Sequence, residues 1–242
     1  LEVEIPANNA DFHTLALALS KNLPRHPQLP TAKSAVRNWQ KQQRTALAGI
    51  VKAARYDVLA VDAATGDVIW HFNTIPQDEN DQGWDIAGPT WVGGGREGGG
   101  IWETPSIDPE LGMLYVAVGN PFGDSTKRAG LNLFTDSILA LSLETGQLEW
   151  YYQQVHHDVW DWDLPCAPIL VDITVDGREI KAIAQPSKQT WLYVFDRETG
   201  EPVWPIEERA VEASTVPGEL LALTQPFPTK PPAYDRQGVG ID

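Results

Sequence analysis

A chain of 242 residues, 42% of them apolar, is long enough for one large core or two modest ones. Its 18 basic and 33 acidic residues give a net charge of -15, which argues against nucleic acid or an anionic membrane surface as partner and favours small neutral substrates or cations. The single cysteine, Cys166, allows no intramolecular disulfide, no apolar run reaches membrane-spanning length, and Leu1 opens without a secretory signal, which implies a removed leader or a start elsewhere.

Charge divides the chain. From Leu1 to Arg55 there are eight Lys or Arg and three Asp or Glu, so the acidic excess belongs to the remainder. In the first part, Asp11 can cap a helix through Phe12, Leu15, Leu17 and Leu19, the Pro24–Pro30 stretch breaks it, and a second helix is expected from Thr31 to about Ala54. Residues 1–54 are therefore expected to form a short helical or irregular segment, and residues 55–242 a separate all-β unit of short strands.

Three segments of that unit share one layout. They are Leu59-Ala60-Val61-Asp62-Ala63-Ala64-Thr65-Gly66 ending at Trp70, Leu139 to Gly146 ending at Trp150, and Tyr193 to Gly200 ending at Trp204. Each predicts strand, tight turn and returning strand, with glycine supplying positive φ and the Trp four positions later. One such hairpin is marginal alone, so stacking with Trp as the docking knob is the economical solution. Spacings of 80 and 54 residues between the glycines suit four-stranded β-propeller blades with insertions. The glycine-rich stretch Gly93–Gly100 reads as a flexible insertion with no phosphate-binding helix after it. The proline-rich tail from Pro226 to Asp242 is expected to be mostly loop.

Chemistry concentrates in His156-His157-Asp158-Val159-Trp160-Asp161-Trp162-Asp163-Leu164-Pro165. An extended chain here would put Trp160 and Trp162 on one face and Asp161 and Asp163 on the other, a pairing that can hold a hard cation or act as a base. The plainer alternative is a loop in which Asp158 or Asp163 caps a turn. His156 and His157 point apart as neighbours on a strand and lack a third ligand, which favours supporting roles.

Together the Thr-Gly…Trp repeats, the HHDVWDWDLP segment, Gln185-Pro186-Ser187-Lys188 and Tyr193-Val194-Phe195-Asp196-Arg197 resemble the eight-bladed quinoprotein dehydrogenases that use pyrroloquinoline quinone (PQQ). The resemblance covers roughly residues 55–242, about half a propeller, and is nearest the glucose-dehydrogenase-like branches. It implies Asp161 as catalytic base and metal ligand, Lys188 as the cation beside the quinone oxygens, Asn120 as a metal ligand, Trp102 as the indole under the PQQ ring, and Asp163 as a possible further ligand. It also implies Ca²⁺, with a lanthanide as the minority alternative, an alcohol or sugar substrate, a quinone or cytochrome electron acceptor, and a periplasmic location.

Two departures stand out. Val51 falls where the family has a metal-binding Glu, and the incomplete ring implies further blades or self-association, because open sheet edges invite pairing. Alone, the polypeptide is expected to bind PQQ weakly and turn over slowly or not at all. The competing functional class is a non-catalytic propeller scaffold of the outer-membrane assembly type.

Overall fold

The computed structural model describes residues 57–235, and the helices expected before residue 55 lie outside them, as does Val51. The described residues fall into two compact units, one containing Leu59–Trp70 and the other Asp57–Val58 with His71 onward. In the first unit, the turn after β1 (Asp57–Val61) and before β2 (Val68–Asn73) is held by Asp62. Its Oδ1 accepts the backbone N–H groups of Ala64 and Thr65, and its carbonyl accepts the N–H of Gly66, which stands at φ 79°. That combination is the side-chain-supported turn that Asp favours.

In the larger unit, after a short helix at Trp84–Ala87, come β3 (Ser106–Asp108), β4 (Met113–Ala117), β5 (Ser137–Ser142) and β6 (Leu148–Gln153), an antiparallel four-stranded meander in sequence order. It continues with a three-stranded meander of β7 (Ile169–Val175), β8 (Arg178–Pro186) and β9 (Leu192–Asp196). A two-stranded sheet of β10 (Ile206–Ala210) and β11 (Thr224–Pro228) closes the described chain. β4 and β5 are almost wholly buried, which explains their continuous apolar runs in place of alternation.

The expected repeat is present as geometry. In all three turns the glycine N–H donates to the carbonyl four residues back at 2.8 Å: Gly66 to Asp62, Gly146 to Ser142, and Gly200 to Asp196. Gly146 and Gly200 stand at φ 71° and 77°, which a side chain would make costly.

The first two sheets of the larger unit share a core. Met113, Tyr115, Ile138, Ala140 and Trp150 pack with Ile183, Tyr193 and Phe195. Trp150 is the joint: it is only 8% exposed, its ring lies against Gly200, and its Nε1 donates to the Arg197 carbonyl at 3.2 Å. A Cβ on Gly200 would sit 2.6 Å from the indole. The Tyr115 hydroxyl donates to the same carbonyl at 2.7 Å. The Arg197 guanidinium turns the other way, donating to Asp108 at 2.6 Å and Asp172 at 2.7 Å. Within this unit, the Trp of one Thr-Gly…Trp hairpin thus docks on the turn of the next, burying a large aromatic while satisfying its single donor.

The tail departs from expectation at its start. Pro226 and Pro228 belong to β11, opposite Glu208 and Ile206. Proline donates no ladder hydrogen bond, and a two-stranded sheet leaves one side of each strand unpaired, so the residue is tolerated there. The described residues after Pro228 have no strand or helix.

Candidate functional site

The 156–165 segment is not a strand: after β6 it turns irregularly, with His157 at φ 47° and Asp161 at φ 65°. Of the two readings open in the sequence, the loop in which Asp158 or Asp163 caps a turn is the one present, and Asp158 is the capping residue. Its Oδ1 accepts the N–H of Trp160 and its Oδ2 the N–H of Trp162, both at 2.7 Å. Carboxylates compete for nearby amides in this way and draw the chain out of a ladder. Trp160 and Trp162 still come together, stacked with ring centroids 4.4 Å apart.

Asp161 and Asp163 both reach Lys188, which follows β8. The Lys188 ammonium donates to Asp163 Oδ2 at 2.6 Å, to Asp161 Oδ2 at 3.1 Å and to the Asp161 carbonyl at 3.0 Å. The Lys188 N–H donates to the Asp163 carbonyl, so backbone and side chain cooperate in the pairing. The two carboxylates differ in setting: the Asp161 side chain is 69% exposed and that of Asp163 only 8%. Partial burial pushes the Lys188 ammonium down, but the hydrogen bonds and charges of Asp163 and Asp161 outweigh it and hold the group above the ordinary lysine value.

Asn120 enters through its backbone, whose N–H donates to Asp163 Oδ1 at 2.8 Å. Gly119 before it is required by crowding, since a Cβ there would lie 2.8 Å from Asp163 Oδ1 and 3.2 Å from the Trp102 Nε1. Trp102 is 57% exposed, an indole presented to the outside and not packed away. The Gly93–Gly100 stretch is partly pinned: Gly99 donates to the Asn120 carbonyl at 2.9 Å, Gly98 pairs with Pro121, and a Cβ on Gly98 would strike the Asn120 carbonyl. Its glycines permit the close backbone approach that fixes Asn120.

Asp161, Asp163, Lys188, Asn120 and Trp102 therefore converge, though they come from separate stretches. The histidines turn aside. His156 meets Gln153 and Glu208 through its ring nitrogens, and buried His157 meets the Gly130 carbonyl. Burial lowers the His157 pKa, the neutral ring suiting this site.

Sequence reasoning missed the support behind the segment. Buried Arg128 donates through Nη2 to the Asp158 carbonyl at 2.6 Å and through Nη1 to Asn132 Oδ1 at 2.8 Å. Asp136 is wholly buried with neither carboxyl oxygen hydrogen-bonded, and burial, followed by the charges of Asp158 and Asp163, pushes it well above the ordinary carboxylate value. The Asp136-Ser137 pair at the head of β5 reads in sequence like any strand entry.

Comparison with known proteins follows the same lines. Residues 39–241 match the family model described as "PQQ: Glucose/ethanol/alcohol dehydrogenase, beta-propeller domain". The chain belongs to this family. Its sheets are blades of a quinoprotein β-propeller. The chain is 35% identical over 176 residues to the quinoprotein glucose dehydrogenase of Escherichia coli (strain K12), a match covering 69% of this chain and 21% of that protein. It is 39% identical to the quinohemoprotein alcohol dehydrogenase ADH-IIG of Pseudomonas putida, over 60% of this chain and 22% of that one. Among solved structures, the quinohemoprotein alcohol dehydrogenase of Comamonas testosteroni matches with a TM-score of 0.58 and 28% identity, across 76% of this chain and 28% of that chain. A europium-containing methanol dehydrogenase matches with a TM-score of 0.57 and 27% identity, across 73% and 33%. The aligned part is thus about a fifth of the length of the curated relatives.

The convergent residues suit the family's cofactor in kind. A flat quinone needs an aromatic plane and a neighbouring cation, which an exposed indole and Lys188 can supply. For a metal, Asn120, Asp161 and Asp163 provide hard oxygen donors, the chemistry that Ca²⁺ takes, but fewer than the six to eight oxygens it collects. Among the described residues no group of three or more His, Cys, Asp or Glu could hold a metal unaided.

Proposed function

We propose that this chain supplies the cofactor-facing blades of a PQQ-dependent dehydrogenase that oxidises a hydroxyl group of an alcohol or sugar. The observation that carries this reading is the Lys188 ammonium bridging Asp161 and Asp163. A structural ion pair gains little from leaving a carboxylate as open as that of Asp161, whereas a base has to reach its substrate.

Asp161 takes the proton of the substrate hydroxyl at its exposed carboxylate. Lys188 holds that carboxylate in place and pairs with Asp163 beside it. Trp102 offers its indole as a plane for the quinone. Bound PQQ would supply the hydride acceptor. Asn120, Asp161 and Asp163 would hold a metal, Ca²⁺ in preference to a lanthanide, which would supply Lewis-acid chemistry there. Any cation there has to share the carboxylates with Lys188, and further oxygens have to come from the cofactor, water or other residues.

The test is dye reduction by a closed propeller that contains this chain, reconstituted with PQQ and Ca²⁺, against its Asp161→Asn variant. Losing a positioned base should lower turnover by about 10²–10⁴-fold while the absorbance change of bound quinone persists. Equal turnover by the variant, or no quinone bound by either protein, contradicts the enzyme reading and leaves the propeller as a scaffold.

A further inference from the structure

The stretch from Asp158 to Asp163 has no strand partner, yet its backbone is held at several points. Both oxygens of the Asp158 carboxylate are committed, one to the Trp160 amide and one to the Trp162 amide, each at 2.7 Å. Asp161 lies between those two clamped residues in a left-handed conformation, φ 65°, that side chains rarely adopt unless the surroundings impose it. The Asp158 carbonyl accepts Arg128 Nη2, and Arg128 and Asn132 exchange hydrogen bonds, Nη1 to Oδ1 at 2.8 Å and Asn132 Nδ2 to the Arg128 carbonyl at 2.6 Å. Asp158, Arg128 and Asn132 are all buried, so neither water nor a mobile surface chain can substitute for these bonds.

We propose that Asp158, braced by Arg128, is a positioning residue: its carboxylate sets the turn that aims Asp161 at Lys188 and stacks Trp160 on Trp162. Asp158 touches no reacting atom. The inference rests on Asp161 being the working carboxylate of this site. Aspartate is needed in this role because both of its oxygens accept. Asparagine, of the same shape, has one acceptor and would turn an NH₂ group toward an amide N–H.

Two readouts on the 242-residue chain test this. The first is the circular-dichroism exciton couplet of the stacked Trp160–Trp162 pair, assigned by subtracting the spectrum of a Trp160→Phe variant. The second is Tb³⁺ affinity, followed by luminescence that the neighbouring indoles sensitise. In Asp158→Asn the couplet should collapse and Tb³⁺ binding should weaken by about 10–100-fold, the range for losing a group that orients a metal ligand. Because Asp158 acts through Asp161, the double variant Asp158→Asn/Asp161→Asn should bind Tb³⁺ no more weakly than Asp161→Asn alone. A folded Asp158→Asn chain with an unchanged couplet overturns the proposal, as do losses that simply add in the double variant. If Asp158→Asn does not fold, Arg128→Lys keeps the charge but not the two-pronged donor geometry, and an unchanged couplet there overturns the proposal equally. If the unaltered chain binds no Tb³⁺, the cation site of the proposed function falls while the couplet alone decides the positioning role.

Discussion

The joint at Trp150 and the segment at Asp161 are made from the same residue types and put them to opposite use. At the joint, an indole is 8% exposed against a glycine turn, and an arginine pairs with an aspartate whose side chain is even more buried than its own. At the segment, the neighbouring indole of Trp102 is 57% exposed, and a lysine pairs with an aspartate that is mostly open. A Trp or an Asp in this chain therefore carries no meaning by identity. What distinguishes the two places is which surface is left free once hydrogen bonds are satisfied: almost none at the joint, and a carboxylate face and an indole face at the segment.

The sharpest way to break this contrast is to truncate both indoles. Trp150→Ala should cost about 3–5 kcal/mol in urea unfolding, because a buried aromatic and its contacts to Tyr115 and Phe195 are lost. Equal stability of the variant would show that the joint does not hold the sheets together. Gly200→Ala comes next, at about 2–4 kcal/mol by the same measurement, since it adds left-handed strain at φ 77° to a methyl driven into the indole.

Asp136 sharpens the comparison from behind the segment. Its folded pKa lies well above the unfolded value, so the stability it contributes is complete below the ordinary carboxylate range and is lost as pH rises through the raised value. Asp136→Asn should therefore gain stability relative to the unaltered chain as pH climbs above the ordinary carboxylate range, reaching about 1–3 kcal/mol, the cost of a buried unpaired group. Thermal melts across that rise in pH check it, and a constant difference between the two proteins would refute it. The smallest effect belongs to Trp102→Ala, which should change stability by no more than about 0.5 kcal/mol, as at an exposed position without packing.

How much of this is legible in sequence follows from what each feature depends on. The hairpin repeat is local: a glycine at positive φ, its N–H hydrogen bond to the carbonyl four residues back and a Trp at fixed offset all fall within a dozen residues, so the blade pattern can be read directly. The candidate site is legible through the family resemblance, because Asp161 and Lys188 lie 27 residues apart and nothing in either neighbourhood names the other. The extended reading of the segment gives way to its loop alternative because period-two alternation says nothing of Asp158, three residues before Asp161, whose carboxylate captures the Trp160 and Trp162 amides. Arg128, Asn132 and Asp136 escape altogether. Their importance lies in burial and in partners brought close by folding, whereas in sequence they look like loop and strand-entry residues.

The most direct test of the account is a PQQ titration followed by absorbance, comparing the chain with its Lys188→Ala variant. If the segment is built to face the quinone, the variant should bind PQQ at least about 10-fold more weakly, about 1.4 kcal/mol, at temperatures where it stays folded, its melting temperature falling because the nearly buried Asp163 carboxylate loses its cation. Equal affinity in the two proteins, or a loss matched by general unfolding, would contradict it.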